Sequence, residues 1–211
     1  MADDLNSAAT DIESKVKKFI KVLTGLCEEL HIQSLQYKRA VEAKGGRLPK
    51  KWAPFPERVS FSISRNKRSL VRTPAEQAAA VSRGGSWVCW GGHMSDKARH
   101  VILRVDGTSY YGARKAFGYR ENLEDFKRAW VAAMKAAGLV NHRGKLGWGD
   151  GDEFHLELPN SKISRRSAKA RACMDEYVRL TREKAKPKND RFETKYKKLI
   201  EAAAKRVGVT L

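Results

Sequence analysis

Gly151-Asp152-Glu153-Phe154-His155-Leu156-Glu157-Leu158 is the stretch on which the reading of this chain turns. Phe154, Leu156 and Leu158 alternate with Glu153, His155 and Glu157. A period of two marks a strand that buries one face and presents the other. The segment therefore predicts a strand carrying one imidazole between two carboxylates on its polar face. Trp148-Gly149-Asp150-Gly151 ahead of it reads as a turn.

Two further strands are legible upstream. Val101-Ile102-Leu103-Arg104-Val105 is a short apolar run suited to a buried strand, and Val59, Phe61 and Ile63 alternate with serines as in a half-buried one. Leu123 to Ala137 predicts a helix with Phe126, Trp130, Val131 and Met134 on one side and Gly138 as its stop. Residues 57–161 thus predict a small mixed α+β domain on a short antiparallel sheet. Residues 1–56 predict a flanking helix and linker. Val16, Phe19, Ile20, Leu23, Leu26, Cys27 and Leu30 form its apolar stripe, Thr10 and Glu13 stand at the capping-box spacing that would start it, and Ala43–Pro56 reads as an extended arm rich in Gly and Pro. Residues 162–211 predict basic helices divided by Pro187, the second carrying a stripe of Phe192, Tyr196, Leu199, Ile200 and Ala203.

Composition narrows the partners. The chain has 211 residues, 41% apolar and 32% charged, with a formal net charge of +19. Such a surplus concentrates anionic partners and makes binding salt-sensitive. The last segment, 162–211, contributes 16 Lys and Arg against 6 Asp and Glu. Nucleic acid, an anionic membrane and a bacterial wall bearing teichoic acid or lipopolysaccharide are the anionic partners that fit. Three widely spaced cysteines, Cys27, Cys89 and Cys173, argue against both a disulfide framework and a thiolate zinc site. The acidic N-terminus lacks the apolar core of a signal peptide, and no apolar run approaches the ~20 residues of a membrane span. These features lead to the expectation of a protein that is cytoplasmic at synthesis.

Residue types suggest a chemistry. A catalytic zinc takes three nitrogen or oxygen ligands and keeps one position for water. His100, Asp106 and His155 supply such a set. Asp152, three residues before His155, is placed to take a proton from the water. Glu153, on the predicted face of His155, is the substitute. Arg72 offers a cation for a developing oxyanion. Competing structural readings exist for each: Arg72-Thr73-Pro74-Ala75-Glu76-Gln77 is also an ordinary helix start with Thr73 as N-cap, and Trp87 and Trp90 suit core packing, a substrate cleft or stacking on bases.

The order of these motifs resembles the VanY-type D-Ala-D-Ala carboxypeptidases and L-Ala-D-Glu endopeptidases, which include many phage endolysins. That family shows RT-x-x-EQ, then S-x-H-x-x-G-x-A-x-D, a helix ending in Gly, and a D/E-x-x-H-x-E-L strand. Arg72, Thr73, Glu76 and Gln77 match the first motif, and Asp152, His155, Glu157 and Leu158 the last, over about residues 57–160. The resemblance implies zinc on His100, Asp106 and His155, Asp152 as base, and Arg72 lining the substrate site. The middle motif departs from the pattern: Asp106 follows His100 by six residues where the family has seven. A second register runs from His93 to His100, with Ala98 in place and His100 where the family has Asp. The first register is preferred because Arg99-His100 leads into an apolar strand ending in an acid.

The leading expectation is therefore a zinc metallopeptidase that cuts stem-peptide amide bonds of peptidoglycan, as a phage lysin does. It would reach the wall with a holin-type partner or as part of a virion. The alternatives are a sequence-tolerant nucleic-acid-binding protein and a structural virion protein on a decayed peptidase fold.

Overall fold

The structure, a computed structural model, describes residues 2–66, 71–86, 88–149, 151–183 and 188–210, with side chains from residue 11 onward. Trp87, Asp150 and Pro187 lie outside the described residues. Among those described, seven α-helices accompany a small four-stranded antiparallel sheet, the mixed α+β class expected. Contacts divide the chain into two compact units. One comprises Thr10–Ser64 and Arg99–Pro159, the other Met1–Ala9, Arg65–Ala98 and Asn160–Leu211. This differs from the expected division at residues 56 and 161: neither flanking segment is a mere appendage.

The first unit is built on the sheet. Helix α1 (Ala2–Ala43) presents Ile12, Val16, Phe19, Leu23 and Cys27 at three- and four-residue steps, all buried. The helix begins before Thr10, so that residue is not its cap. Strands β1 (Val59–Ile63) and β2 (Ala98–Val105) pair antiparallel, with Val59 opposite Val105 and Ile63 opposite Val101. Strand β3 (Thr108–Tyr110) folds back on the end of β2. The hairpin turn is Asp106-Gly107, with φ of 49° and 81°. Positive φ at both central residues is what a tight hairpin needs, and Asp-Gly supplies it. Helix α3 (Ala113–Ala116) leads to α4 (Arg120–Ala137), which Gly138 stops at φ 67°, as the sequence predicts. Strand β4 (His155–Glu157) then joins β2, the Val101 N–H donating to the Phe154 carbonyl at 2.9 Å.

An amphipathic helix and a one-sided sheet each need an apolar partner, and here they share one. Val101, Leu103 and Val105 of β2, Leu156 of β4, Phe126, Trp130 and Met134 of α4, and the α1 stripe form one core. Phe19 meets the edge of Trp130 at 4.7 Å, and Phe117 stacks on Phe126 at 4.4 Å. Truncating Trp130 or Phe19 to alanine would cost about 3–5 kcal/mol.

The second unit is helical. Helix α2 (Pro74–Ser82) starts with a complete capping box: Thr73 Oγ1 accepts from the Glu76 N–H and Glu76 Oε2 accepts from the Thr73 N–H. Helix α5 (Ala168–Val178) starts at the Ser167 cap and runs into a π-helical turn, Arg179–Glu183. Helices α6 (Asp190–Lys195) and α7 (Lys197–Val207) follow. Ala78, Val81, Trp90, Met94, Cys173, Tyr177, Val178, Phe192, Ile200 and Ala203 make this unit's core. Of the predicted C-terminal stripe, Phe192, Ile200 and Ala203 are buried and Leu199 is exposed. No helix among the described residues is long and apolar enough to cross a membrane.

Candidate metal centre

Strand alternation decides which side chains meet. In β2, Val101, Leu103 and Val105 point into the core, which puts His100, Ile102 and Arg104 on the opposite face. In β4, Leu156 is fully buried in the core, so His155 and Glu157 share the other face. Because β4 pairs with the start of β2, the two histidines become neighbours on one face of the sheet. His100 Nε2 lies 2.8 Å from His155 Nδ1, although the residues are 55 positions apart.

Asp152 completes this group. It sits in the turn ahead of β4, its N–H donating to the Gly149 carbonyl at 3.0 Å and its own carbonyl accepting from the His155 N–H at 3.3 Å. These bonds aim Asp152 Oδ2 at the imidazoles, 3.3 Å from His155 Nδ1 and 3.8 Å from His100 Nε2. On the far side of the ring, His155 Nε2 is 2.7 Å from Glu157 Oε1. An ionised carboxylate only accepts, so Nε2 carries the hydrogen and Nδ1 is turned toward His100 and Asp152. Glu157 and His155 are both buried.

His93 precedes β2 in a 3-10 turn, Gly92–Ser95. Within the sheet unit, His100 and His155 bring two imidazoles together with the Asp152 carboxylate, donors that could hold a metal ion. The chemistry of the set fits a divalent transition metal. Imidazole nitrogens are the donors zinc favours, and zinc–nitrogen bonds of about 2.0–2.1 Å put tetrahedral ligand atoms about 3.3 Å apart. A buried carboxylate on the outer nitrogen of a ligating histidine is the usual support for such a centre, and Glu157 stands there.

Protonation follows from the same contacts. Burial pushes the Asp152 pKa up, but its hydrogen bond to His155 and the charges of His155, His100 and His142 pull it down to about 2. Burial would lower His155, yet hydrogen bonds to Asp152 and Glu157 and their charges raise it. His142, with its ring 6.3 Å from that of His155, has its pKa lowered chiefly by burial. Its buried Nδ1 has no hydrogen-bond partner among the described residues.

The structure brings together His100, His155 and Asp152 among the predicted site residues. Asp106 is not with them. It is the turn residue at the far end of β2, six residues or about 20 Å along the strand from His100. Its left-handed backbone, not a metal, explains an acid at that place. Glu153 is also elsewhere. The strand begins at His155, so alternation does not extend back to residue 153, and Glu153 Oε2 accepts from the Ala113 N–H at 2.7 Å. Arg72 belongs to the helical unit, where its guanidinium donates to Gln77 Oε1 at 3.1 Å. Buried Gln77 is held in turn by the Val88 carbonyl at 2.6 Å and Ser86 Oγ at 2.7 Å. Sequence reasoning left His93 and His142 without a role. For His93 the available signal was the second register of the middle motif.

No protein-family model, curated protein or solved structure matches the chain.

Proposed function

We propose that the chain is a metal-dependent peptidase acting on the stem peptides of bacterial wall, a divergent relative of the VanY-type enzymes. The observation that carries this is the convergence of His100, His155 and Asp152 from distant segments onto one sheet face. The second register of the middle motif supports it too. Asp96, at φ 59°, takes the left-handed backbone where the family pattern has Gly, and Ala98 is fully buried at the family's Ala position. In this reading His100 and His155 hold zinc, and His100 stands in for the family's Asp.

Zinc bound there would supply Lewis acidity to a scissile carbonyl and to a water molecule. The chain's own groups do the rest. Glu157 fixes the His155 ring through Nε2–H, which directs the Nδ1 lone pair to the shared space. Asp152, ionised across the neutral range, takes the proton from the attacking water and returns it to the leaving amine.

The test is turbidity loss of a purified wall suspension. Clearance that a chelator abolishes and zinc restores supports the reading. Clearance indifferent to chelator, or none by the zinc-loaded protein across several wall types, contradicts it. The charge of segment 162–211 favours a second reading, phosphate-backbone binding. Nucleic-acid shifts steep in salt, by protein that retains no metal, would establish that instead.

A further inference from the structure

The sheet unit has a cavity of about 290 Å³ that the catalytic reading does not use. Its walls come from the second half of α1, the segment around Trp52 and Phe55, and the start of α4. Four aromatic rings line it, Tyr37, Trp52, Phe55 and Tyr119, together with two carboxylates, Glu121 and Asp125. In a chain of net charge +19, none of the lining residues is Lys or Arg. Tyr37 and Trp52 lie 6.4 Å apart with their planes tilted by 39°, and Tyr37 is 50% exposed.

The polar groups that would read a sugar are largely engaged already. Ser34 Oγ donates to the His31 carbonyl at 2.7 Å and accepts from the Phe55 N–H at 3.0 Å. Asn122 Nδ2 donates to the carbonyls of Ala53 and Pro54, both at 3.1 Å. These bonds tie the Trp52 segment to α1 and α4 and so hold the cavity's shape. What they leave for a ligand is aromatic surface with the Glu121 carboxylate, since Asp125 Oδ1 already accepts from the Arg128 guanidinium. Ring faces carry negative potential and attract cations, most strongly organic ammonium groups that shed water easily.

We propose that this cavity binds an alkylammonium cation, held against Tyr37, Trp52 and Tyr119 and neutralised by Glu121. Two sources share that chemistry: a quaternary choline-type headgroup and the side-chain ammonium of a lysine-like residue. The site is independent of the metal centre, so its test needs no enzymatic activity.

Calorimetric titration of the full chain would use choline, the neutral isostere 3,3-dimethylbutanol, and Nα-acetyl-lysine methylamide. Choline or the lysine derivative should bind at least about tenfold tighter than the neutral isostere, and whichever binds better names the source. Tyr37→Ala and Glu121→Gln, both at exposed positions, should each weaken the cation at least about threefold with the thermal melt unchanged. Equal binding of choline and dimethylbutanol, binding indifferent to both substitutions, or no binding at millimolar ligand would overturn the proposal.

Discussion

Glu157→Gln is the perturbation from which the metal centre has most to lose without unfolding. The two side chains have nearly the same volume, and glutamine still offers an oxygen to His155 Nε2–H, so the buried donor keeps a partner. What disappears is the charge at 2.7 Å from the ring. A charge-assisted hydrogen bond contributes about 1.5–3 kcal/mol and a neutral one about 0.5–1.5. The difference, about 1–2 kcal/mol, is a factor of roughly 5–30 in affinity. Losses of 10–100-fold are usual when a supporting carboxylate is removed. Zinc affinity should therefore fall about tenfold, read by competition with a chromophoric chelator, while saturating zinc still loads the variant.

The pH dependence has a definite sign. Glu157 helps to raise the His155 pKa, and the proton competes with zinc for Nδ1. Removing the charge lowers that pKa and relieves competition most at low pH. The ratio of variant to parent dissociation constants should thus grow from pH 6 to pH 8. Equal affinities across that range would refute the assignment of Glu157 as support for a ligating histidine.

Asp152→Asn should retain zinc and lower wall hydrolysis at least about 100-fold, since it removes the base and leaves the imidazoles; activity within a few-fold of the parent would assign proton transfer elsewhere. Asp106→Asn should leave zinc affinity and melting temperature unchanged, because asparagine also tolerates the left-handed turn; lost zinc would restore Asp106 as a ligand. Glu193 accepts two bonds from Arg182, at 2.9 and 2.6 Å, and one from Tyr177 at 2.8 Å. Burial raises its pKa, but these partners bring it below the ordinary value of a glutamate carboxyl. That stabilisation is present above about 4.5, the unfolded value, and fades as pH falls through the lower folded one. Glu193→Gln should cost about 1–2 kcal/mol at pH 7 and almost nothing at pH 2, read by urea unfolding.

Local patterning made much of the fold legible. Strand β1, the apolar run of β2, helix α4 with its Gly138 stop and the alternation of β4 all follow from period and punctuation. The grouping into units was not legible, because an amphipathic stripe says that a helix needs a partner and not which one. Thus α1 covers the sheet, and α2 packs with the C-terminal helices instead of the strands that flank it in sequence. At the site, His155 and Asp152 stand on a local pattern and were found together. Asp106 was misread because ligand chemistry was weighed above turn chemistry at an Asp-Gly pair. His93 was set aside because Arg99-His100 leads into an apolar strand ending in an acid, and only the backbone shows that Asp96, at the motif's Gly position, adopts the conformation a glycine would.

X-ray absorption at the zinc edge of the protein loaded with one equivalent tests the metal centre most directly. Imidazole ligands completed by light atoms predict nitrogen or oxygen scatterers at about 2.0–2.1 Å with outer-ring scattering. In His155→Ala the ion should be lost on desalting. A shell of oxygen alone, or stoichiometric zinc retained by His155→Ala, would contradict the account.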